Sequence, residues 1–397
     1  MGIQLSDRSL RIKPSATLSL NAKASEMKRN GADVINLTAG EPDFDTPEPI
    51  KKACEAAMEA GKTGYTEVNG AIELRQAICA KLARDNELKY SPDEIIVSNG
   101  AKQTLYNITQ AILNPGDEVI IPAPYWVSYP AMVALADGKS VFVKTSFENE
   151  FKLTAQELEA AITPATRLLI LNTPSNPTGM VYTKKELNDL AQILICHPNI
   201  TIATDDMYEK LYWRDDQFTT ILNVCKDLRD QTIVVNGCSK AYAMTGWRIG
   251  YSAAPAGITG AMKKIQSHST SGPNTMAQFA AVKALSMSDE ELEFMFSAYR
   301  SRLKLAQTLL SEIPGVRCLP AQGAFYLYPC VKGLMKAKGF ETDTELAEHL
   351  LTEYELATVP GTAFGTNGYL RLSCACSEEI LRKGIARIRE FAEKRSG

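Results

Sequence analysis

The chain reads as an α/β protein: a large three-layer αβα domain around a mainly parallel sheet, with a smaller α+β domain. Three observations predict it. Short, almost wholly apolar runs alternate with helical patterns through the middle of the chain, each run ends in polar or turn residues, and near the C-terminus the alternation gives way to two strand-like runs and a closing helix. A strand covered by helices on both faces is apolar at successive positions, which is what these runs show.

The elements follow in order. EIIVSNG precedes the helical AKQTLYNITQAIL, whose Leu105, Ile108 and Ile112 fall on one face. EVIIPAP leads into a tyrosine-rich segment, and RLLILNTP leads to the helical KKELNDLAQIL. ITIATDD, TIVVNGCSK and GYSAAP complete the alternating series. LATVPG and YLRLSCA then read as strands, and Ser377 caps a last helix with Leu381, Ile385 and Ile388 on its buried stripe. We assign residues 48–290 to the large domain, and residues 1–47 with 291–397 to the small one, the connection falling in the Ser286 to Gly315 region.

Composition narrows the function classes. The 397 residues are 45% hydrophobic and 22% charged, the balance of an ordinary globular protein. Lysine and arginine number 43 against 46 acids, a net charge of -3, so nothing suggests bulk adhesion to nucleic acid or anionic membrane. Nine cysteines without a CxxC pair, the nearest being Cys374 and Cys376, point to free thiols in a reducing compartment and hence to the cytoplasm. The N-terminus carries charges where a secretory signal needs an apolar centre. The uncharged stretch Val119 to Ala136 holds Pro122, Pro124 and Pro130 and is no membrane span. His197, His268 and His349 lack ligand spacing, so neither a histidine-rich zinc site nor a motif-marked serine triad is expected.

In an open α/β sheet, ligands bind beyond the carboxyl ends of the strands. After EIIVS come Asn99, Gly100, Ala101 and Lys102, a glycine and a helix start that offer backbone amides and a positive dipole end to an anion such as phosphate. After RLLILN comes TPSNPTG, where two prolines restrain the backbone around Asn176. After ITIAT come Asp205, Asp206, Met207 and Tyr208; after TIVVNGCS comes Lys240, with Arg248 eight residues on. Each alone has an ordinary reading as a turn, a helix cap or a solvated charge. All of them at strand ends of one sheet describe a site.

The strings TPSNPTG, TDDMYEKLYW and SKAYAMTGWRIGY resemble those of the class I aminotransferases of the pyridoxal phosphate fold-type I superfamily. With NLTAGEPDFDTP, GYTEVNGAIELRQAI and PYWVSYP, the resemblance is closest to the prokaryotic-type aspartate aminotransferases and covers nearly the whole chain. It implies that Lys240 holds pyridoxal 5'-phosphate as a Schiff base and then shuttles the proton at the substrate α-carbon. It also implies that Asp205 pairs with the pyridine nitrogen, that Tyr208 and Asn176 donate to the ring oxygen, and that Trp126 stacks on the ring. Gly100, Ala101 and Arg248 bind the phosphate, with Lys102 and Ser239 beside them. Tyr65 reaches the phosphate in the neighbouring subunit, which makes a homodimer with shared active sites. Many relatives carry a serine three residues before the lysine, and this chain has Gly237 there.

For the substrate, the resemblance implies that Arg371 clamps the α-carboxylate together with Asn176, that Gly40 lies against the substrate, and that Trp126 walls it. Lys102, Ser15 and Thr17 would read the side-chain carboxylate, and Lys13 is similar to a lysine associated in some relatives with prephenate. The expected activity is ping-pong transfer of the amino group from L-aspartate to 2-oxoglutarate, giving oxaloacetate and L-glutamate. The alternatives are an aromatic, prephenate or broad-range aminotransferase of the same fold, a pyridoxal-phosphate lyase, and a non-catalytic regulatory domain. The last is disfavoured because the motifs begin within the first forty residues and no basic stripe accompanies them.

Overall fold

The computed structural model describes residues 3–14 and 16–394, with the backbone alone for residues 16–18. Strand β1 (Ile35–Asn36) precedes the main sheet of β2 (Ile95–Asn99), β3 (Glu118–Ala123), β4 (Lys139–Lys144), β5 (Thr166–Asn172), β6 (Thr201–Asp205), β7 (Thr232–Gly237) and β8 (Ile249–Ala253). Four short strands follow: β9 (Tyr326–Leu327), β10 (Leu356–Ala357), β11 (Val359–Pro360) and β12 (Leu370–Ser373). The main sheet has the order β2-β8-β7-β6-β5-β3-β4, and only β8 runs against its neighbours. The carboxyl ends of β2, β3, β5, β6 and β7 therefore share an edge with the amino end of β8. From β3 the chain moves outward to β4, and from β5 it moves the other way to β6, so a topological switch point opens between β3 and β5.

Each apolar run supplies two cores, because successive side chains of a strand point to opposite faces. Ile95, Val97, Ile120, Leu169, Leu171, Ile202 and Val234 pack on one side with Leu74, Ile78, Leu187 and Leu190. Ile96, Val119, Ile121, Leu168, Ile170, Ala203, Ile233 and Val235 pack on the other with Leu105, Ile108 and Met262. The expected Ser377 cap is present, its hydroxyl accepting from Ile380 N at 3.3 Å, and Leu381, Ile385 and Ile388 are buried.

Strand β4 was not expected from the sequence. It pairs only with β3 at the sheet edge and is half exposed, with lysines at both ends, so KSVFVK lacks the continuous apolar run of a covered strand. The run LATVPG divides at Thr358: β10 pairs parallel with β1, and β11 pairs antiparallel with β12. Ile35 and Leu37 from the N-terminal part pack with Leu346, Leu370, Leu372 and Ile385. The helix Glu293–Ser311 links the two cores, Met295 and Tyr299 lying in the first and Leu303 and Leu310 in the second. No helix among the described residues is long and apolar enough to cross a membrane.

Candidate active site

A cavity of about 570 Å³ lies at the shared sheet edge, walled on its far side by Gly40 and Glu41 and by Arg371 of β12. Every strand end singled out in the sequence contributes to it or to the packing directly behind it.

At one end the helix Ala101–Ile112 begins immediately after β2. The N–H groups of a first helical turn have no partner within the helix. Gly100, at φ +82°, leaves room for Arg248: a Cβ there would stand 2.3 Å from Arg248 Nη2. Gly250 does the same on β8, where a Cβ would stand 2.0 Å from the Ala101 nitrogen. Arg248 donates to the Thr245 carbonyl at 2.8 Å and to the Asn99 carbonyl at 3.2 Å. Lys102 Nζ lies 5.0 Å from the Trp126 ring, and burial, aided by the Arg248 charge, pushes its pKa down. Helix terminus, guanidinium and amine form a cationic end suited to a phosphate.

In the middle, the Asp205 carboxylate accepts from Tyr129 Oη at 2.6 Å and from Met207 N at 3.4 Å. Burial raises its pKa to about 6 in spite of those bonds. Asn172, at the end of β5, ties β6 to the following loop, donating to the Asp205 carbonyl at 2.9 Å and accepting from Asn176 N at 2.8 Å. The Tyr208 and Tyr326 hydroxyls are 3.0 Å apart, and burial pushes both phenols up, so both keep their protons. Lys240 Nζ donates to the Gly40 carbonyl. Burial lowers the Lys240 pKa to about 8; Arg371, Arg248 and Lys102 act in the same direction and Glu41 opposes them. An amine so placed is available in its neutral, nucleophilic form near neutrality.

At the far end Arg371 is 2% exposed. It donates to Asn176 Oδ1 at 3.0 Å and to the Thr38 carbonyl at 2.7 Å, while its Nε is buried without a partner. Tyr326 and Phe364 cover its guanidinium at 4.5 and 5.1 Å. A buried arginine with a free N–H and only neutral acceptors around it is a receptor for a carboxylate. The cavity thus joins a phosphate end, an acid, a neutral amine and a carboxylate clamp, and this donor set fits pyridoxal phosphate carrying an amino acid.

Residues 32–388 match the family described as aminotransferase class I and II. The chain belongs to that family. Pyridoxal 5'-phosphate comes with this membership. The chain is 48% identical over 392 residues to an aspartate/prephenate aminotransferase of Nitrosomonas europaea, covering 97% of this chain and 99% of the relative. It is 44% identical to the aspartate aminotransferase of Bacillus subtilis, covering 99% and 100%. The structure of the Rhizobium meliloti aspartate aminotransferase superposes with a TM-score of 0.96 at 42% identity, over the whole of both chains. That of the Thermus thermophilus aspartate aminotransferase with maleate gives 0.93 at 42% identity, over 98% of this chain and 100% of the other.

In this aminotransferase, Gly40, Ala101, Lys102, Trp126, Asn176, Asp205, Tyr208, Ser239, Lys240, Arg248 and Arg371 all line the cavity, and Gly100 packs behind Arg248. Two expected residues do not reach it from within the chain: Tyr65 is 99% exposed, and Lys13 is an exposed residue ahead of the helix Ala16–Arg29. Ser15 lies outside the described residues, as does the side chain of Thr17. Gly237 stands where a side chain has no space, since a Cβ would be 2.8 Å from the Ile249 carbonyl oxygen.

Sequence reasoning missed Thr38, Glu41, Tyr129, Asn172, Gly250 and Tyr326. Tyr129 and Asn172 sit inside quoted motifs, PYWVSYP and RLLILN, and could have been weighed as strand-end polar groups. Tyr326 comes from a two-residue strand whose pattern signals nothing.

Proposed function

We propose that Lys240 and Arg371, facing one cavity, catalyse transfer of the amino group of L-aspartate to 2-oxoglutarate in a ping-pong cycle, with oxaloacetate leaving before L-glutamate forms. The observation that carries the reading is the buried Arg371 with its free Nε, set in the same cavity as the Lys240 amine. Bound pyridoxal phosphate supplies an aldehyde for the amine and a ring that withdraws electrons from the substrate's α-carbon.

The chain does the rest. Lys240 holds the cofactor and, once displaced, its neutral Nζ takes the proton from the substrate's Cα. Asp205 keeps the ring nitrogen protonated, because a carboxylate held beside it by Tyr129 favours the charged ring. Tyr208 and Asn176 donate to the ring oxygen, and Trp126 covers a ring face. Gly100, Ala101, Lys102, Ser239 and Arg248 hold the phosphate. Arg371 and Asn176 orient the α-carboxylate against Gly40, and Lys102, with Ser15 and Thr17, reads the side-chain carboxylate. The small domain, residues 1–47 and 291–397, closes over the substrate and excludes water.

A second copy of the chain completes the site. Tyr65 is fully exposed, yet its loop is pinned: Thr275 donates to the Gly64 carbonyl at 2.7 Å and Gln278 to Thr66 Oγ1 at 3.0 Å. A rigidly presented aromatic suits delivery to the partner's phosphate site in a homodimer. Nine free cysteines support a reducing, cytoplasmic setting. Relatives named aspartate/prephenate aminotransferase favour prephenate as a second oxo-acid substrate.

The test is a half-reaction. The cofactor's absorbance is followed while single amino acids are added without an acceptor. Rapid conversion by aspartate and glutamate is expected; conversion by aromatic amino acids alone would overturn the dicarboxylate assignment.

A further inference from the structure

Behind the wall that carries Asp205 and Tyr208 lies a buried polar cluster with no part in the roles above. Lys81, on the helix Ile72–Asn86, is 1% exposed. It donates to the Glu209 carboxylate and, at 2.7 Å, to Asn86 Oδ1, while Asn86 Nδ2 donates to the other Glu209 oxygen at 2.7 Å. The next residue, Lys210, approaches Asp85 at 3.3 Å. Glu209 and Lys210 directly follow Tyr208, so both are tied to the last turns of one helix. Asn223 Nδ2 donates to the Asn86 carbonyl at 2.6 Å and fixes that helix end in turn.

The segment so anchored has neither helix nor strand to hold it. After β6 the chain turns, Asp206 N donating to the Val235 carbonyl at 2.9 Å and Glu209 N to the Asp206 carbonyl at 3.0 Å. The side-chain ties of Glu209 and Lys210 add to these backbone bonds in setting where the turn sits. Burying an ion pair gives little net stability compared with apolar packing of the same volume, so its contribution here is geometric.

We infer that Lys81 and Asn86 are positioning residues for the cofactor-facing pair Asp205 and Tyr208, acting through Glu209. The inference rests on the proposed contacts of Asp205 and Tyr208 with the ring. The pin keeps the carboxylate of Asp205 and the hydroxyl of Tyr208 at one spacing from each other and from Lys240.

The test replaces the ion pair with apolar groups, Lys81→Met with Glu209→Leu, which leaves no buried charge unpaired. Asn86→Ala is the milder variant, which cuts the ties of Asn86 and leaves the pair. Each purified protein is melted in the apo form, titrated with pyridoxal phosphate, and assayed in the half-reaction with aspartate. Misplacement of a catalytic frame by a fraction of an ångström predicts a cofactor dissociation constant raised about tenfold and a kcat lowered about tenfold in the double variant, with KM for aspartate little changed. Asn86→Ala shifts both by about threefold on the same ground. A lowered melting temperature with cofactor affinity and kcat unchanged in the folded protein would overturn the inference, and if the double variant does not fold, Asn86→Ala decides by the same criteria. Tyr208→Phe is the control: if it alters neither quantity, the ring contacts themselves are wrong, whatever the Lys81 variants do.

Discussion

Arg371 Nη1 donates to Asn176 Oδ1 at 3.0 Å, so the residue proposed to receive a carboxylate is oriented by the residue that the TPSNPTG turn presents. The contact joins β12 to the loop after β5, two segments almost two hundred residues apart. Charge-assisted hydrogen bonds are worth about 1.5–3 kcal/mol each, so losing a two-point clamp lowers kcat/KM for aspartate about 100- to 10,000-fold. Arg371→Leu is expected to show this loss, and Arg371→Lys most of it, because an ammonium cannot reproduce the fork. Steady-state kinetics with aspartate and 2-oxoglutarate check it; a loss below tenfold in both variants would assign the carboxylate elsewhere.

Gly100→Ala is expected to weaken cofactor retention more than it weakens the fold. The new methyl meets Arg248 Nη2 at 2.3 Å, at a φ of +82° that side chains rarely adopt. The guanidinium must move from the helix start proposed to hold the phosphate. Equilibrium dialysis against pyridoxal phosphate should show affinity down at least about tenfold, the cost of one charge-assisted contact.

The uptake of cofactor by apo protein should depend on pH through Lys240. Its pKa is lowered to about 8 because burial disfavours the ammonium. A lowered pKa means more neutral amine at a given pH. The uptake rate should therefore rise as pH increases toward about 8 and level off above it, whereas an ordinary lysine would keep gaining to beyond pH 10. Stopped-flow absorbance between pH 6 and about 10 distinguishes the two curves.

Tyr129→Phe removes the 2.6 Å bond to Asp205. That bond favours the ionised carboxylate, so its loss raises the Asp205 pKa further and weakens the pairing with the ring nitrogen. A kcat about tenfold lower is expected, one such bond being worth roughly 1.5 kcal/mol. An unchanged kcat would place the ring nitrogen's partner elsewhere.

Mixed dimers test the shared site. In the proposed homodimer, Tyr65→Ala and Lys240→Ala proteins would each have two damaged sites, but one intact site would form when the two chains are unfolded and refolded together. Random pairing predicts recovery of about a quarter of wild-type activity. No recovery with dimers formed would show that Tyr65 serves no partner.

What could be read from the chain alone was local. The apolar runs declare strands covered on both faces, since Ile95 to Val97 or Leu168 to Leu171 must satisfy two cores at once. The residues that follow those runs inherit the sheet edge, which is why Asp205, Lys240, Asn176 and Gly100 could be placed from the sequence. Strand β4 escaped because it is half exposed and, unlike β2 at the other edge of the sheet, supplies no second core. Tertiary structure decided what depends on distant segments meeting. The Tyr326 hydroxyl reaches Tyr208 across 118 positions, and Arg371 reaches the Thr38 carbonyl across 333. Nothing in AFYLY or YLRLS signals those partners, because a hydrogen bond has no periodicity. Lys81 makes the point most plainly: in sequence it is one lysine on a polar helix, and only packing against Glu209 removes it from water. Local pattern reports which face a residue takes, and long-range packing alone reports what that face meets.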